Sequence, residues 1–150
     1  MIHRLHYKSH LNIDLDTAWD FFSNPENLNS LTPQDMNFKI LSGADRPMYS
    51  GQIIIYKVSP FPYYTTTWVT EISHVIPKKM FVDEQRFGPY AFWYHQHIFN
   101  ETKEGLQTED IVHYKLPYGF LGQAAHKLFV KNMLKQIFDF RQKRLTEIFK

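Results

Sequence analysis

His95 and His97 are one residue apart, and other groups able to hold a proton or bind a charge lie on either side of them. Asp83 and Gln85 come before, Asp110 and Tyr114 after, and Arg141 follows in the C-terminal stretch. If the stretch is a strand whose histidine face turns inward, the two imidazoles project together about 6.6 Å apart by strand rise. An imidazole oriented by a carboxylate is a general-base arrangement. Two imidazoles and a carboxylate oxygen can also ligate a metal. No nucleophile is indicated, however, and the H-x-H spacing alone is a weak metal signal. His113 does not help, because alternation sends it to the face opposite Asp110.

Three strands must position these groups. Runs at about Met80 to Phe87, Ala91 to Asn100 and Leu106 to Leu116 are rich in β-branched and aromatic residues. Gly88-Pro89 turns the first pair and the polar segment Glu101 to Gly105 turns the second. Alternation puts Phe81, Asp83, Gln85 and Phe87 on one face, and Asp110, Val112, Tyr114 and Leu116 on one face of the last strand. The middle strand offers either Trp93, His95, His97 and Phe99 or Phe92, Tyr94, Gln96 and Ile98. Centring the hairpins on their turns places Gln85 opposite Trp93, Asp83 opposite His95, His97 opposite Asp110 and Trp93 opposite Tyr114.

The rest of the chain supplies a wall and a lid. Residues 2–13 alternate as a half-buried strand, with His6 and His10 on the solvent side. Asp14 is a helix N-cap, with Leu15, Ala18, Trp19 and Phe22 following at helical spacing. Asn24-Pro25 ends that helix and opens a second short one, which Thr32-Pro33 closes. Strands are expected at Phe38 to Leu41, Gly51 to Val58 and Tyr63 to His74, with Pro60 and Pro62 between the last two. From Gly122 to Lys150 runs a long amphipathic helix, whose broad apolar face takes Phe129, Val130, Met133, Leu134, Ile137, Phe138 and Leu145. Its first turns, with Leu121, Ala124, Ala125 and Leu128, put their apolar side nearly opposite, which predicts a bend or a start that packs on a different surface. Arg141 falls inside the apolar arc. It either snorkels to water or pairs with a carboxylate from the sheet.

Composition narrows the function classes. A chain of 150 residues is expected to form a single domain with an adequate core. A net charge of +2, spread along the chain, gives no reason to expect a nucleic-acid partner. Zero cysteines exclude disulfides and thiolate chemistry and fit a cytoplasmic setting. No N-terminal apolar block reads as a signal peptide, and no apolar run approaches the ~18 residues of a membrane span. An aromatic content of 17% points to a ring-rich core or a ring-lined cavity.

The order of one strand, two short helices, six strands and a long helix is α+β. With Asn24-Pro25-Glu26-Asn27-Leu28, Phe81-Val82-Asp83-Glu84-Gln85, Gly88-Pro89-Tyr90, Trp93-x-His95-x-His97-x-Phe99, Tyr114-x-Leu116-Pro117-x-Gly119 and Phe138-x-x-Arg141, the chain resembles the bacterial ligand-binding SRPBCC proteins. These belong to the START-like helix-grip superfamily, with the birch-pollen-allergen-like proteins and polyketide cyclases. The resemblance implies a helix-grip fold: a curved antiparallel sheet of about seven strands wrapped around the C-terminal helix. It also implies that Trp93, His95, His97 and Phe99 face inward, joining Asp83, Gln85, Asp110 and Tyr114. Members of the superfamily typically bind apolar molecules between sheet and helix, and a minority catalyse reactions.

Three readings of the polar cluster follow. The pairs satisfy one another and fix register; or they orient the polar end of a lipid, isoprenoid or polyketide-like molecule against Trp68, Trp93, Phe129 and Met133; or an Asp–His base serves a cyclase or hydratase. The expectation is a small, mainly apolar ligand held by Trp68, Asp83, Gln85, Trp93, His95, His97, Asp110, Tyr114, Phe129, Met133 and Arg141. No catalytic residue, metal or obligatory cofactor is expected. The alternatives are an enzyme and an interaction module with a filled core. The oligomeric state stays open.

Overall fold

The alternating stretches form seven antiparallel strands in one sheet. The computed structural model describes residues 1–61 and 63–150. The strands are β1 (His3–Leu11), β2 (Lys39–Ser42), β3 (Gln52–Phe61), β4 (Tyr64–Ile76), β5 (Met80–Phe87), β6 (Phe92–Thr102) and β7 (Gly105–Lys115), in the order β1-β7-β6-β5-β4-β3-β2. β1 thus joins the last strand, and the connection after it crosses to the opposite edge. That connection holds α1 (Leu15–Phe22) and 3-10 turns at Pro25–Leu31 and Gln34–Met36. Asp14 caps α1, accepting from the Thr17 amide at 2.8 Å. Asn24 caps the first 3-10 turn, with Pro25 as its opening residue.

The sheet curves because its ladders slip. Register shifts fall at Ile40/Ser42, Val58/Phe61, Val69/Thr70 and Ile72/His74, all in the β2–β5 half. Each bulge bends its strand and adds twist. Pro60 lies inside the Val58/Phe61 irregularity, where a residue with no N–H to donate is tolerated, so β3 runs through it to Phe61. Pro62, expected to mark the same break, lies outside the described residues.

The β6–β7 ladder is regular from Phe92↔Lys115 to Thr102↔Gly105. Its turn depends on Gly105, at φ +123°, where a Cβ would collide with the carbonyl oxygen of Leu11. That turn fixes which residues of β6 and β7 meet.

A continuous helical run of 30 residues closes the sheet: α2 (Gly119–Ala125), a π-helical turn (His126–Val130) and α3 (Lys131–Ile148). The buried positions are Gly122, His126, Val130, Leu134, Phe138, Arg141 and Leu145. Burial runs through the π-turn at four-residue spacing, from Gly122 to His126, Val130 and Leu134. Phe129, placed on the broad apolar face by helical periodicity, lies outside that stripe and is 63% exposed, as Leu128 is at 66%. Leu121 and Ala124 are exposed too, so the first turns pack no second surface.

Buried side chains form two apolar clusters. One gathers α1, the 3-10 segment and the far ends of β5–β7, including Phe22, Leu31, Ile72, Phe81, Phe99 and Leu145. The other holds Trp68, Tyr90, Trp93, Tyr114, Leu134 and Phe138. Between them lies a polar layer. No helix among the described residues is long and apolar enough to cross a membrane.

Candidate functional site

The polar layer is built where β5, β6, β7 and α3 meet. Backbone register puts Asp83 opposite His95, His97 opposite Asp110 and Trp93 opposite Tyr114, as the turn lengths predicted. The β5–β6 ladder ends at Glu84↔Tyr94, short of Gln85. Side chains also reach diagonally. His95 Nε2 is 2.9 Å and His97 Nδ1 3.0 Å from Asp110 Oδ1, while His97 Nε2 is 2.7 Å and His95 Nδ1 3.3 Å from Asp83 Oδ2. Each carboxylate therefore meets both imidazoles. Arg141 does not snorkel: it is buried, and its Nε donates to Asp110 Oδ2 at 3.3 Å.

Burial and pairing compete in this layer. Burial opposes charge on these groups, but Arg141, His95 and His97 outweigh it at Asp110, whose carboxyl is held well below the usual range. Burial likewise opposes Asp83, yet His95, His97 and Arg141 hold its pKa down. At His97, burial is overcome by hydrogen bonds to Asp110 and Asp83, which raise the pKa. At His95, burial and the neighbouring His97 lower it, against the pull of the two carboxylates. A buried network of this kind is tolerated when each charge is paired.

Against this layer lies a cavity of about 170 Å³. Asp83, His95, His97 and Arg141 line it beside Thr70 and a mainly apolar wall, to which Trp68, Trp93 and Met133 belong as expected. The wall borders both apolar clusters, so the interior is not filled. Thr32, Met36, Phe38, Pro60, Met133 and Ile137 also line a wider surface groove of about 1160 Å³. The groove lies where the 3-10 turns and the end of β3 face α3.

Four expected site residues stand away from the cavity wall. Phe129 is turned to solvent. Gln85 clamps the turn instead, its Nε2 donating to the Tyr90 carbonyl at 2.6 Å and its Oε1 accepting from the Tyr90 amide at 3.1 Å. Tyr114 is buried behind Tyr90 and Trp93, with its hydroxyl 2.8 Å from His126 Nε2. Asp110 acts through the histidines.

Sequence reasoning missed Tyr56, Tyr90 and Thr70, which also line the cavity. Tyr56 carried a signal: alternation along β3 sets it on one face with Ile54 and Val58. The Tyr56 hydroxyl lies 3.2 Å from Thr70 Oγ1. Tyr90 lies in the β5–β6 turn, where periodicity says nothing.

A bulged seven-stranded sheet enclosing a cavity under one long helix has clear relatives among solved structures. A protein from Chromobacterium violaceum superposes with a TM-score of 0.73 at 13% identity, over 99% of this chain and 96% of that one. The chain has a helix-grip fold. A second helix grip, the major latex-like protein 151 of Panax ginseng, gives a TM-score of 0.72 at 10% identity, over 100% and 99% of the two chains. A Thalictrum norcoclaurine synthase point mutant, in complex with a transition-state analogue, gives 0.67 at 13%, over 97% and 94%. No family profile and no curated protein matches the helix-grip sequence. At these identities the likeness is one of fold.

Proposed function

We propose that the protein binds a small, mainly apolar molecule in the cavity between sheet and helix, with the molecule's polar end against Asp83, His95 and His97. The observation that carries this reading is the cavity: apolar over most of its wall, polar at one end, and sharing lining residues with an open groove. Its volume sets a size. An apolar cavity of about 150 Å³ holds benzene, so about 170 Å³ accepts one ring or a short branched chain. A longer isoprenoid or acyl chain would extend past Met133 and Ile137 into the groove. The Trp68 indole N–H, buried in this wall without a protein acceptor, favours a ligand that carries an oxygen.

The test combines native mass spectrometry of the gently purified protein with tryptophan fluorescence. Trp68 and Trp93 line the cavity, whereas Trp19 packs among Phe81 and Phe99. In a Trp19→Phe background, an entering ligand changes the emission of the two cavity indoles. A retained organic mass together with that change is the expected result. A bare polypeptide mass, with emission unmoved across a panel of ring-sized and chain-like compounds, would overturn the reading.

A catalytic variant of the reading has one observation in its favour. His95, its pKa lowered by burial and by the neighbouring His97, lies on the cavity wall between two carboxylates, where an oriented imidazole can act as a general base. One fold relative is a synthase. Under this variant, His95→Ala keeps ligand binding and abolishes turnover.

A further inference from the structure

We propose that Asp83, His95 and His97 form a binding site for one divalent transition-metal ion at the polar end of the cavity. Their ligand atoms all lie within 4.8 Å of one another. Asp83 Oδ2 is 2.7 Å from His97 Nε2 and 3.3 Å from His95 Nδ1. Donors bound to one ion at ~2.0–2.2 Å lie roughly 2.9–3.5 Å from each other, so the two contacts of Asp83 Oδ2 are already close to that spacing, and the third pair lies within 4.8 Å.

The outer contacts have the form that metal-bound histidines take. A ligating imidazole uses its second nitrogen to donate to a carboxylate or carbonyl, which fixes tautomer and ring orientation. Here both second nitrogens, His95 Nε2 and His97 Nδ1, meet the same Asp110 Oδ1 at 2.9 and 3.0 Å. Arg141 holds the other oxygen of Asp110. His97 Nδ1 also lies 3.4 Å from Arg141 Nη2, and His97 Nε2 shares a proton with Asp83 Oδ2 in the metal-free protein. A metal ion would take the place of that proton: each neutral ring would then donate its single N–H to Asp110, leaving one lone pair on each ring and the Asp83 oxygen for the ion.

The remaining coordination positions would open on the cavity, because Asp83, His95 and His97 line it and Asp110 does not. Two imidazoles and one carboxylate suit zinc, cobalt or ferrous ion better than calcium or magnesium, which favour oxygen ligands. A bound ion would meet the oxygen of a cavity ligand as a Lewis acid.

The test titrates the full chain, freed of metal by a chelator, with Co²⁺ while its visible d–d absorption is followed; Zn²⁺ is then added in competition. One Co²⁺ per chain with an intense d–d band, displaced by Zn²⁺, is the expected result. Asp83→Ala should weaken binding more than tenfold, and Asp110→Asn about 10–100-fold through loss of orientation. Near-UV circular dichroism shows whether each variant keeps its fold. Imidazole nitrogen NMR of the unsubstituted protein locates the site without any variant: Zn²⁺ should shift the rings of His95 and His97. Absence of a stoichiometric band, shifts confined to other histidines such as the stacked pair His3 and His126, or unchanged affinity in a folded Asp83→Ala would overturn the proposal. Ligand binding measured by fluorescence in metal-free buffer is a separate readout, so either reading can fail alone.

Discussion

His97 stands directly across the β6–β7 ladder from Asp110, and its Nδ1 lies 3.0 Å from Asp110 Oδ1. Backbone pairing and side-chain pairing coincide there, and Arg141 completes the group from the helix. Removing one partner strands the others in the interior. Asp110→Asn and Arg141→Met should each cost about 3–5 kcal/mol, and the double variant less than their sum. Urea unfolding of the four proteins measures this. Single losses under about 1 kcal/mol would mean that water reaches the group.

Met133 and Trp93 both line the cavity, but they should respond differently. Trp93 is buried against Trp68, Tyr90 and Tyr114, so truncation to Ala should cost about 3–5 kcal/mol of folding free energy. Met133 is half-buried and lines both cavity and groove. Met133→Ala should therefore reduce ligand affinity with little change in the urea midpoint. Equal affinity in Met133→Ala and the unsubstituted protein would remove α3 from the binding wall.

Phe129 and Leu134 lie on one helical run, and their substitutions should separate sharply. Leu134 is 2% exposed, so Leu134→Ala should destabilise by about 2–5 kcal/mol. Phe129→Ser should stay within about 0.5 kcal/mol and leave cavity binding unchanged. Thermal melts and the fluorescence titration check both. A large loss at Phe129 would mean that this ring is buried in solution.

Burial pushes the Tyr114 phenol up to about 12, with Tyr7 adding to the rise. The folded value thus exceeds the unfolded value of about 10. A raised pKa gives stability that is complete below the unfolded value and is lost as pH climbs through the folded one. The urea midpoint should fall from about pH 9 to about pH 12, and Tyr114→Phe should flatten part of that slope. Tyr7, Tyr56 and Tyr90, also raised by burial, act in the same direction. An unchanged slope in Tyr114→Phe would mean that this phenol ionises normally.

The order of elements was legible in the sequence because alternation, helical spacing and proline positions are local signals. So were three of the four cross-strand pairs, since Gly88-Pro89 and the segment ending at Gly105 fix the hairpins. Gln85 escaped that reasoning because its partner is the backbone of the turn, which side-chain patterning does not describe. Phe129 lies at the edge of the broad apolar arc, where periodicity does not separate buried from exposed, and the buried stripe passes through Gly122, His126 and Val130 instead. The two choices left open for Arg141 differed only in whether a carboxylate waited opposite, which no single element records.

The polar layer draws its five side chains from β5, β6, β7 and α3, and Arg141 is separated from Asp110 by 31 residues and from His97 by 44. In synthesis that cation follows every strand of the sheet. Until Arg141 emerges, the nascent sheet holds two carboxylates whose burial lacks the guanidinium that helps hold both ionised. The β5–β7 hairpins can pair before then, but they cannot close over a dry interior, so consolidation of the fold should wait on translation of α3.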